Sequence, residues 1–458
     1  METRIHVLDL QKGLFVAELD RPWLDTPFLM QGFLLETPQQ LEQLREHCEY
    51  VTVDLARSTG GIVRWANLAA GLKPIHSEFN SPNISALIRS PVEEKERQER
   101  ISVLRELRRL FSGLFKRNEQ DGNPSPGLSQ RHEAPIVLYD REEKVELELP
   151  KAQAVHRASR EFMQSLLEAV RCDLQPKIED ANLVVNDLVD SIVRNPNALL
   201  LLTQLKDRDQ YSYSHAIDTA VYLLAFGRHL GYPIEELKKL GLAGLMLDIG
   251  KVKLPTELLN RTGRYTQAEF MLMKTHVTHS LDILGQMDGV PLDVVDMVAR
   301  HHERYDGSGY PNGLKAEEIG MFASMAGIVD CFTALTSERN YSDAKPAHEA
   351  LQLLYKWSEK YFHPALIEQF AQCVGIFHVG TLVELSTGEV GIVIGQNRVR
   401  RLKPKLMIIL GSDKQPYAKP HTLDLITNPT APNGLPISLR RELSRGAYNI
   451  DPREYFLE

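Results

Sequence analysis

From about Asn186 to Phe370 apolar residues recur at the spacing of helix faces. The pattern breaks at Asn195-Pro196-Asn197, Gly231-Tyr232-Pro233, Gly307-Ser308-Gly309 and His363-Pro364. Proline lacks the amide a helix needs and glycine resists helical ordering, so each break ends one helix and allows the next to start. A run of this length reads as an all-α domain of several helices.

The period changes on either side. Between Arg4 and about Asp54, strings such as Gly13-Leu14-Phe15-Val16-Ala17, Pro22-Trp23, Phe28-Leu29-Met30 and Tyr50-Val51-Thr52-Val53 predict strands. A helix capped by Thr37, with Pro38 at its first position, lies among them. Beyond Val379-Gly380, the segments Leu382 to Leu385, Val390 to Ile394 and Leu406 to Leu410 predict strands of a small β appendage. The expected plan is multi-domain. An N-terminal α+β module with a charged helix and linker takes residues 1–135, and connecting helices take 136–185. The all-α domain takes 186–375, the β appendage 376–428 and a C-terminal tail 429–458.

Within the first module, Ile101, Leu104, Leu107, Phe111 and Leu114 form one apolar stripe on a densely charged helix, suited to packing or to self-association. The Pro- and Gly-rich segment from Asn118 to Pro135 predicts a linker, and Val155, Ala158, Phe162, Leu166 and Val170 trace a further amphipathic helix. The net charge of -8 over 458 residues argues against DNA as a partner, while leaving room for a local basic cluster around a small anion. Four scattered cysteines without CxxC spacing suit reduced, buried thiols. With no apolar run of signal-peptide or membrane-spanning length, the expectation is a cytoplasmic protein that does not enter a membrane.

Chemistry concentrates between Gly241 and Pro311. Leu247-Asp248-Ile249-Gly250-Lys251 is followed by His276, His279, and His301-His302-Glu303-Arg304-Tyr305-Asp306-Gly307-Ser308-Gly309-Tyr310-Pro311. A lone histidine is more often a capping or hydrogen-bonded residue than a ligand, so the weight lies on the adjacent His301-His302 pair and on Asp248 beside Gly250. An aspartate ending an apolar helix must be paired, and a metal pair is one way to compensate it. Separated histidines with a carboxylate suit a two-metal hydrolase.

These elements, with His215 upstream and Val329-Asp330-Cys331-Phe332-Thr333-Ala334-Leu335-Thr336-Ser337 downstream, resemble the HD-GYP family, bacterial metal-dependent phosphodiesterases acting on cyclic di-GMP. The match runs from about Leu199 to Ala344, and the flanking modules look like those accompanying one branch of the family. The resemblance implies an HD-type helical fold holding a divalent transition metal, Fe or Mn, as one or two ions. It makes His215 and Asp330 ligands of a first metal, Asp248 the bridge, and His276, His301 and His302 ligands of a second. Lys251 would reach the phosphate or the attacking solvent, Arg339 would contact the nucleotide, and the Gly309-Tyr310 loop would adjoin the nucleotide and dock diguanylate cyclase (GGDEF) partners. The loop glycines would permit positive φ and leave amides free for a phosphate or a partner. His279 matches no ligand position.

The sequence departs from the family at Leu247, where the name-giving histidine should stand, so the first metal site is impaired. Tyr211 replaces the glutamate of three-metal relatives, and Asn340 and Ser342 replace the proline and arginine that follow the nucleotide arginine. Three readings stay open. Hydrolysis of cyclic di-GMP is reduced or lost while binding persists, or the enzyme works with an incomplete site, or the domain is a scaffold docking cyclases through the loop.

Overall fold

The computed structural model describes residues 2–7, 10, 12–20, 33–35, 38–54, 91–112, 134–140, 142–204, 211–337, 344–358, 360–375, 379–395, 403–431, 434–443, 447–450 and 455. The strand readings at Pro22-Trp23 and Phe28-Leu29-Met30, the cap Thr37, and Leu114 lie outside them, as does most of the linker segment. The chain divides into two compact units, Met1–Glu96 and Arg97–Glu458.

The first unit is a four-stranded antiparallel sheet in the order β1-β4-β2-β3, built from β1 (Glu2–His6), β2 (Phe15–Leu19), β3 (Phe33–Leu34) and β4 (Tyr50–Asp54). Helix α1 (Pro38–His47) begins at Pro38 as expected and contributes Leu44 to a core with Val16, Leu35, Val51 and Val53.

The second unit opens within α2 (Pro91–Ser112), continues through α3 (Val145–Arg171), α4 (Ile178–Arg194) and α5 (Pro196–Gln204), and reaches α6 (Tyr211–His229) and α7 (Ile234–Met246). After these come α8 (Thr256–Leu259), α9 (Gln267–Lys274), α10 (His276–Gly285), α11 (Leu292–Arg300), α12 (Met321–Thr336), α13 (Ala347–Lys356) and α14 (Pro364–Val374). Tyr222, Phe226, Phe332 and Phe370 fill the centre, with ring centroids 5.1 to 5.2 Å apart for three edge-to-face pairs. That geometry adds about 0.5–1.5 kcal/mol per pair beyond burial.

Three domain expectations need correction. From Arg97 onward the charged helix belongs to the second unit, where Leu104 and Leu107 are buried in the large helical core. Leu104 and Leu107 of its stripe are thereby occupied within the chain, while Leu114 and the side chain of Phe111 lie outside the described residues. The stretch 136–185 is not merely connecting, since α3 and α4 supply Met163, Leu166, Val170, Val185 and Leu188 to the same core. The buried face of α3 runs through Ala152, Ser159, Met163, Leu166 and Val170, leaving Ala158 exposed. A buried Glu148 locks α3 to α4, accepting from Arg194 at 2.7 and 2.9 Å and from Ser191 at 2.7 Å.

The β appendage comprises β5 (Leu382–Leu385), β6 (Val390–Gly395), β7 (Lys405–Leu410), β8 (Pro416–Asp424) and β9 (Leu439–Leu443) in an antiparallel sheet ordered β8-β7-β6-β5-β9. The sheet extends past residue 428, because β9 pairs with β5 from the presumed tail. Leu201 of α5 is buried in the core of this sheet, so helices and strands share a wall. Of the cysteines, Cys48 is buried, Cys331 and Cys373 are half-buried and Cys172 is exposed, contrary to its expected burial. Among the described residues no helix is long and apolar enough to cross a membrane.

Candidate metal centre

Helix ends deliver most of the polar groups. His215 lies in the second turn of α6, and α7 ends where Leu247 keeps helical angles (φ −46°, ψ −49°) before Asp248 turns away (φ −108°, ψ 9°). The chain then winds into a short 3-10 helix, Ile249–Lys253. His276 opens α10, His301 and His302 follow the end of α11, and Asp330 sits within α12.

The turn after Asp248 lies so close to α10 that only glycine fits. A Cβ on Gly250 would fall 2.2 Å from the His276 carbonyl oxygen and 2.3 Å from the Ser280 amide nitrogen. Ser280 joins the two segments, since its Oγ accepts from the Gly250 amide at 2.8 Å and donates to the Leu247 carbonyl at 3.1 Å. Asp248 is held between these two anchored neighbours.

Two donor groups overlap at Asp248. The ligand atoms of Asp248, His276, His301 and His302 all lie within 4.8 Å of one another, as do those of His215, Asp248 and Asp330. Asp248 Oδ1 is 3.3 Å from His276 Nε2 and 3.9 Å from His301 Nε2. His215 Nε2 is 3.5 Å from Asp248 Oδ2 and 3.0 Å from Asp330 Oδ1. His276 Nδ1 faces the Met273 carbonyl at 2.7 Å and His301 Nδ1 the Val298 carbonyl at 2.8 Å. A carbonyl can only accept, so each Nδ1 carries the proton and each Nε2 lone pair is available to a metal.

Asp248 Oδ1 and His301 Nε2 are buried and make no hydrogen bond. Leaving such atoms unsatisfied costs about 1–3 kcal/mol each, and a cation ligated between them removes that cost. The donor set therefore fits a divalent transition metal. The charge states of His301 and His302 agree with this, whereas a metal at His215 would have to displace a proton. Burial holds His301 down to about 4, and burial together with neighbouring His301 holds His302 well below the usual imidazole range, so both are neutral ligands. Burial opposes the charge on Asp248, but the Lys251 ammonium and the hydrogen bond from His215 outweigh it and keep the carboxyl ionised. Burial likewise disfavours charge on His215, yet its hydrogen bonds to Asp248 and Asp330 prevail and raise it.

Leu247 is 2% exposed and shares the helical core with Leu237 and Leu240. The group around His215 consequently has three protein donors, against four around His276. Lys251 donates to Asp248 Oδ2 at 2.5 Å. Arg339, Asn340 and Ser342 lie outside the described residues, as does the side chain of Tyr211. His279 is half-buried and belongs to neither donor group.

The loop after His302 differs in part from expectation. Gly307 has φ 81°, but Gly309 has no positive φ. Gly309 is required by close approach, since a Cβ there would fall 2.3 Å from the Arg304 amide nitrogen and 2.5 Å from the Glu303 Cα. The amides of Gly307, Ser308 and Tyr310 are not free for a phosphate, because they donate to the Arg304 carbonyl, Asp306 Oδ1 and the His302 carbonyl. The Tyr310 ring stacks on His302 at 4.7 Å.

Sequence reasoning missed the residues that brace this loop. Glu303, 3% exposed, accepts the Asn312 amide at 2.7 Å and the Leu314 amide at 3.0 Å. Ser280 was detectable in principle, since it stands four residues after His276 on the same helix face.

Comparison with known proteins agrees with this architecture. A family model described as an HD domain matches residues 200–366, one described as a domain of unknown function (DUF3391) matches 2–181, and a KOW domain associated with HD domain matches 382–431. A cyclic di-GMP phosphodiesterase of Pseudomonas aeruginosa is 30% identical over 427 residues, spanning 93% of this chain and 89% of that protein. A cyclic di-GMP phosphodiesterase of Thermotoga maritima is 28% identical over 231 residues, 49% of this chain and 62% of that protein. Among solved structures, an HDG"Y"P protein from Bdellovibrio bacteriovorus covers 81% of this chain and 98% of its own at 13% identity and a TM-score of 0.41. With the three modules in order, the spaced histidines gathered about Asp248 and near full-length similarity to the Pseudomonas aeruginosa phosphodiesterase, the chain belongs to the HD-GYP family of HD-domain proteins.

Proposed function

We propose that this protein is a cyclic di-GMP signalling protein whose HD-GYP centre binds the dinucleotide while its hydrolysis is weakened or lost, because Leu247 stands in place of a metal ligand. The observation carrying this reading is the burial of Leu247 in the apolar core beside Asp248, which leaves His215, Asp248 and Asp330 as a three-donor group next to a four-donor group. Asp248, His276, His301 and His302 would hold one ion firmly, and His215, Asp248 and Asp330 a second one weakly; the donor set suits several first-row ions, among which the family resemblance implies Fe or Mn. When bound, such ions lower the pKa of a shared water and neutralise phosphoryl oxygens. Lys251 orients Asp248 and places a positive charge beside it for a phosphate, and Tyr310 closes the wall next to His302. The four cysteines form no disulfide and fit a reducing cytoplasm.

A second reading is an active phosphodiesterase with a loose first site. It is favoured by the retained convergence of His215, Asp248 and Asp330 and by the name of the Pseudomonas aeruginosa relative. Metal analysis paired with a cyclic di-GMP hydrolysis assay, on the wild type and Leu247→His, separates the two. A wild type that binds one ion and leaves the dinucleotide intact, with Leu247→His gaining an ion and turnover, supports the first reading. Turnover by the wild type that Leu247→His merely accelerates supports the second. A wild type that neither retains metal nor binds the dinucleotide refutes both.

A further inference from the structure

We infer that α9 and the loop before it form a purine subsite, in which Phe270 stacks on one guanine of the dinucleotide, Arg264 reads its edge and Lys274 meets the adjoining phosphate. The inference rests on the reading of the centre given above and extends it to residues outside the metal groups.

A cleft of about 540 Å³ opens beside α9, lined by Gly263, Arg264, Tyr265, Thr266, Gln267 and Phe270. That is within the size range of small-ligand sites. Its walls combine two aromatic rings with one guanidinium and two uncharged polar side chains, the composition that a flat, hydrogen-bonding heterocycle requires. The rim is a built structure. Thr266 and Glu269 form a reciprocal capping box at the start of α9, and Arg261 pairs with Glu269 from the preceding loop.

What connects the cleft to the metal centre is a ladder of rings. Tyr310 stacks on His302 with centroids 4.7 Å apart, and Phe270 meets Tyr310 edge-on at 6.3 Å. Phe270 is 44% exposed, although a ring of this size ordinarily gains from burial. Met271 and Leu272 beside it are also exposed, and α9 buries none of its residues. The helix is therefore not held in place for the sake of the core. Lys274 Nζ lies 4.8 Å from the Phe270 centroid and 4.9 Å from the Tyr310 centroid, so a positive charge stands where the ladder turns from the cleft towards His302.

A cyclic purine dinucleotide matches this sequence of groups. With one phosphate at the His/Asp centre near Lys251, the attached ribose passes Tyr310, the base reaches the Phe270 ring, and the charged backbone passes Lys274. Arg264, also in the lining, carries a guanidinium that can donate two parallel hydrogen bonds to the O6 and N7 of guanine. Adenine offers a donor in place of O6 and forfeits one of them.

The test is equilibrium titration of the full-length, Mn-loaded protein with cyclic di-GMP and with cyclic di-AMP, alongside metal content and thermal melting of each variant. Phe270→Ala is expected to weaken cyclic di-GMP binding about 5- to 150-fold, the equivalent of about 1–3 kcal/mol for a stacked base. Phe270→Tyr should restore the binding. Arg264→Ala should reduce the preference for cyclic di-GMP over cyclic di-AMP by about 10-fold or more. Metal content and melting should be unchanged in all three, because none of these side chains belongs to the donor groups or the core. If the wild type binds cyclic di-GMP while Phe270→Ala and Arg264→Ala bind it equally well, the subsite is wrong and the reading of the centre stands. If the wild type binds neither dinucleotide, that reading falls and the subsite with it.

Discussion

Replacing Glu303 tests whether the loop from Asp306 to Pro311 is held by a buried carboxylate or merely follows from its glycines. Glu303 accepts two backbone amides, from Asn312 and Leu314, at 2.7 and 3.0 Å. Hydrogen bonds to a charged group contribute about 1.5–3 kcal/mol each, so removing both gives a ceiling of about 3–6 kcal/mol. Asn312 is exposed and Leu314 half-buried, so water recovers part of the loss when they are released. The expected local destabilisation for Glu303→Ala is about 2–4 kcal/mol. Glu303→Gln retains one acceptor oxygen and should lose about half as much. Global melting reports the cooperative unfolding of a whole unit rather than the opening of one loop. Amide hydrogen exchange is direct, and 2–4 kcal/mol corresponds to a loss of protection of about 30- to 1000-fold at Asn312 and Leu314. Because the same loop places Tyr310 against His302, dinucleotide binding should weaken in parallel. Unchanged exchange at Asn312 and Leu314 in a folded Glu303→Ala protein would refute the argument, and the loop would then be maintained by its backbone conformation alone.

Three further predictions follow from other contacts. Gly250→Ala places a Cβ into the backbone of α10, so either the Asp248 turn or the helix must shift at a cost of about 1–3 kcal/mol, and metal retained after dialysis should fall with it. Retention equal to the wild type would show that the turn can move without disturbing Asp248. Arg194→Ala strands the buried Glu148 carboxylate and should destabilise the second unit by about 3–5 kcal/mol, read as a lower urea midpoint, whereas an unchanged midpoint would mean that Ser191 and Lys151 suffice. In the β appendage, hydrogen bonds from Lys414 and Arg441 hold Glu384 down to about 2, below the ordinary 4.5. A depressed carboxyl pKa contributes stability that is present above 4.5 and is lost as pH falls through 2, so exchange protection in β5 should decline across that window. Glu384→Gln should flatten the decline, and an identical pH profile in the variant would place its cause elsewhere.

What could be read from the sequence divides along physical lines. Helical periodicity over 186–375 and the short apolar runs at Leu382 to Leu385, Val390 to Ile394 and Leu406 to Leu410 are local signals of surfaces that must be buried, and the strands β5, β6 and β7 appear where those signals stand. Strand β8 escaped because it is largely exposed and carries Pro416 and Pro420, so it has neither an apolar period nor a strand-like composition. β9 escaped because its place depends on a partner about 55 residues earlier, a relation that no local pattern carries. The same division runs through the centre. The donor residues were legible because histidine and aspartate have few other reasons to cluster, and their order matched a family. Ser280, Glu303 and Phe270 are common residue types whose roles arise only when α10, the loop and α9 lie next to Asp248 and His302. Leu247 is the instructive case. A leucine at the end of an apolar helix is what core packing alone would select, and the structure buries it as such. Only its position before an aspartate that two donor groups share gives it functional meaning. Substituting it therefore weighs two effects of opposite sign. Leu247→His gives up about 1.5–3 kcal/mol of burial and gains a metal ligand. That gain should emerge as stability which depends on metal concentration, about 2.7 kcal/mol when free metal is 100 times its dissociation constant. A variant destabilised equally with and without metal would mean that residue 247 belongs to the core alone, and that the first site was lost by more than one substitution.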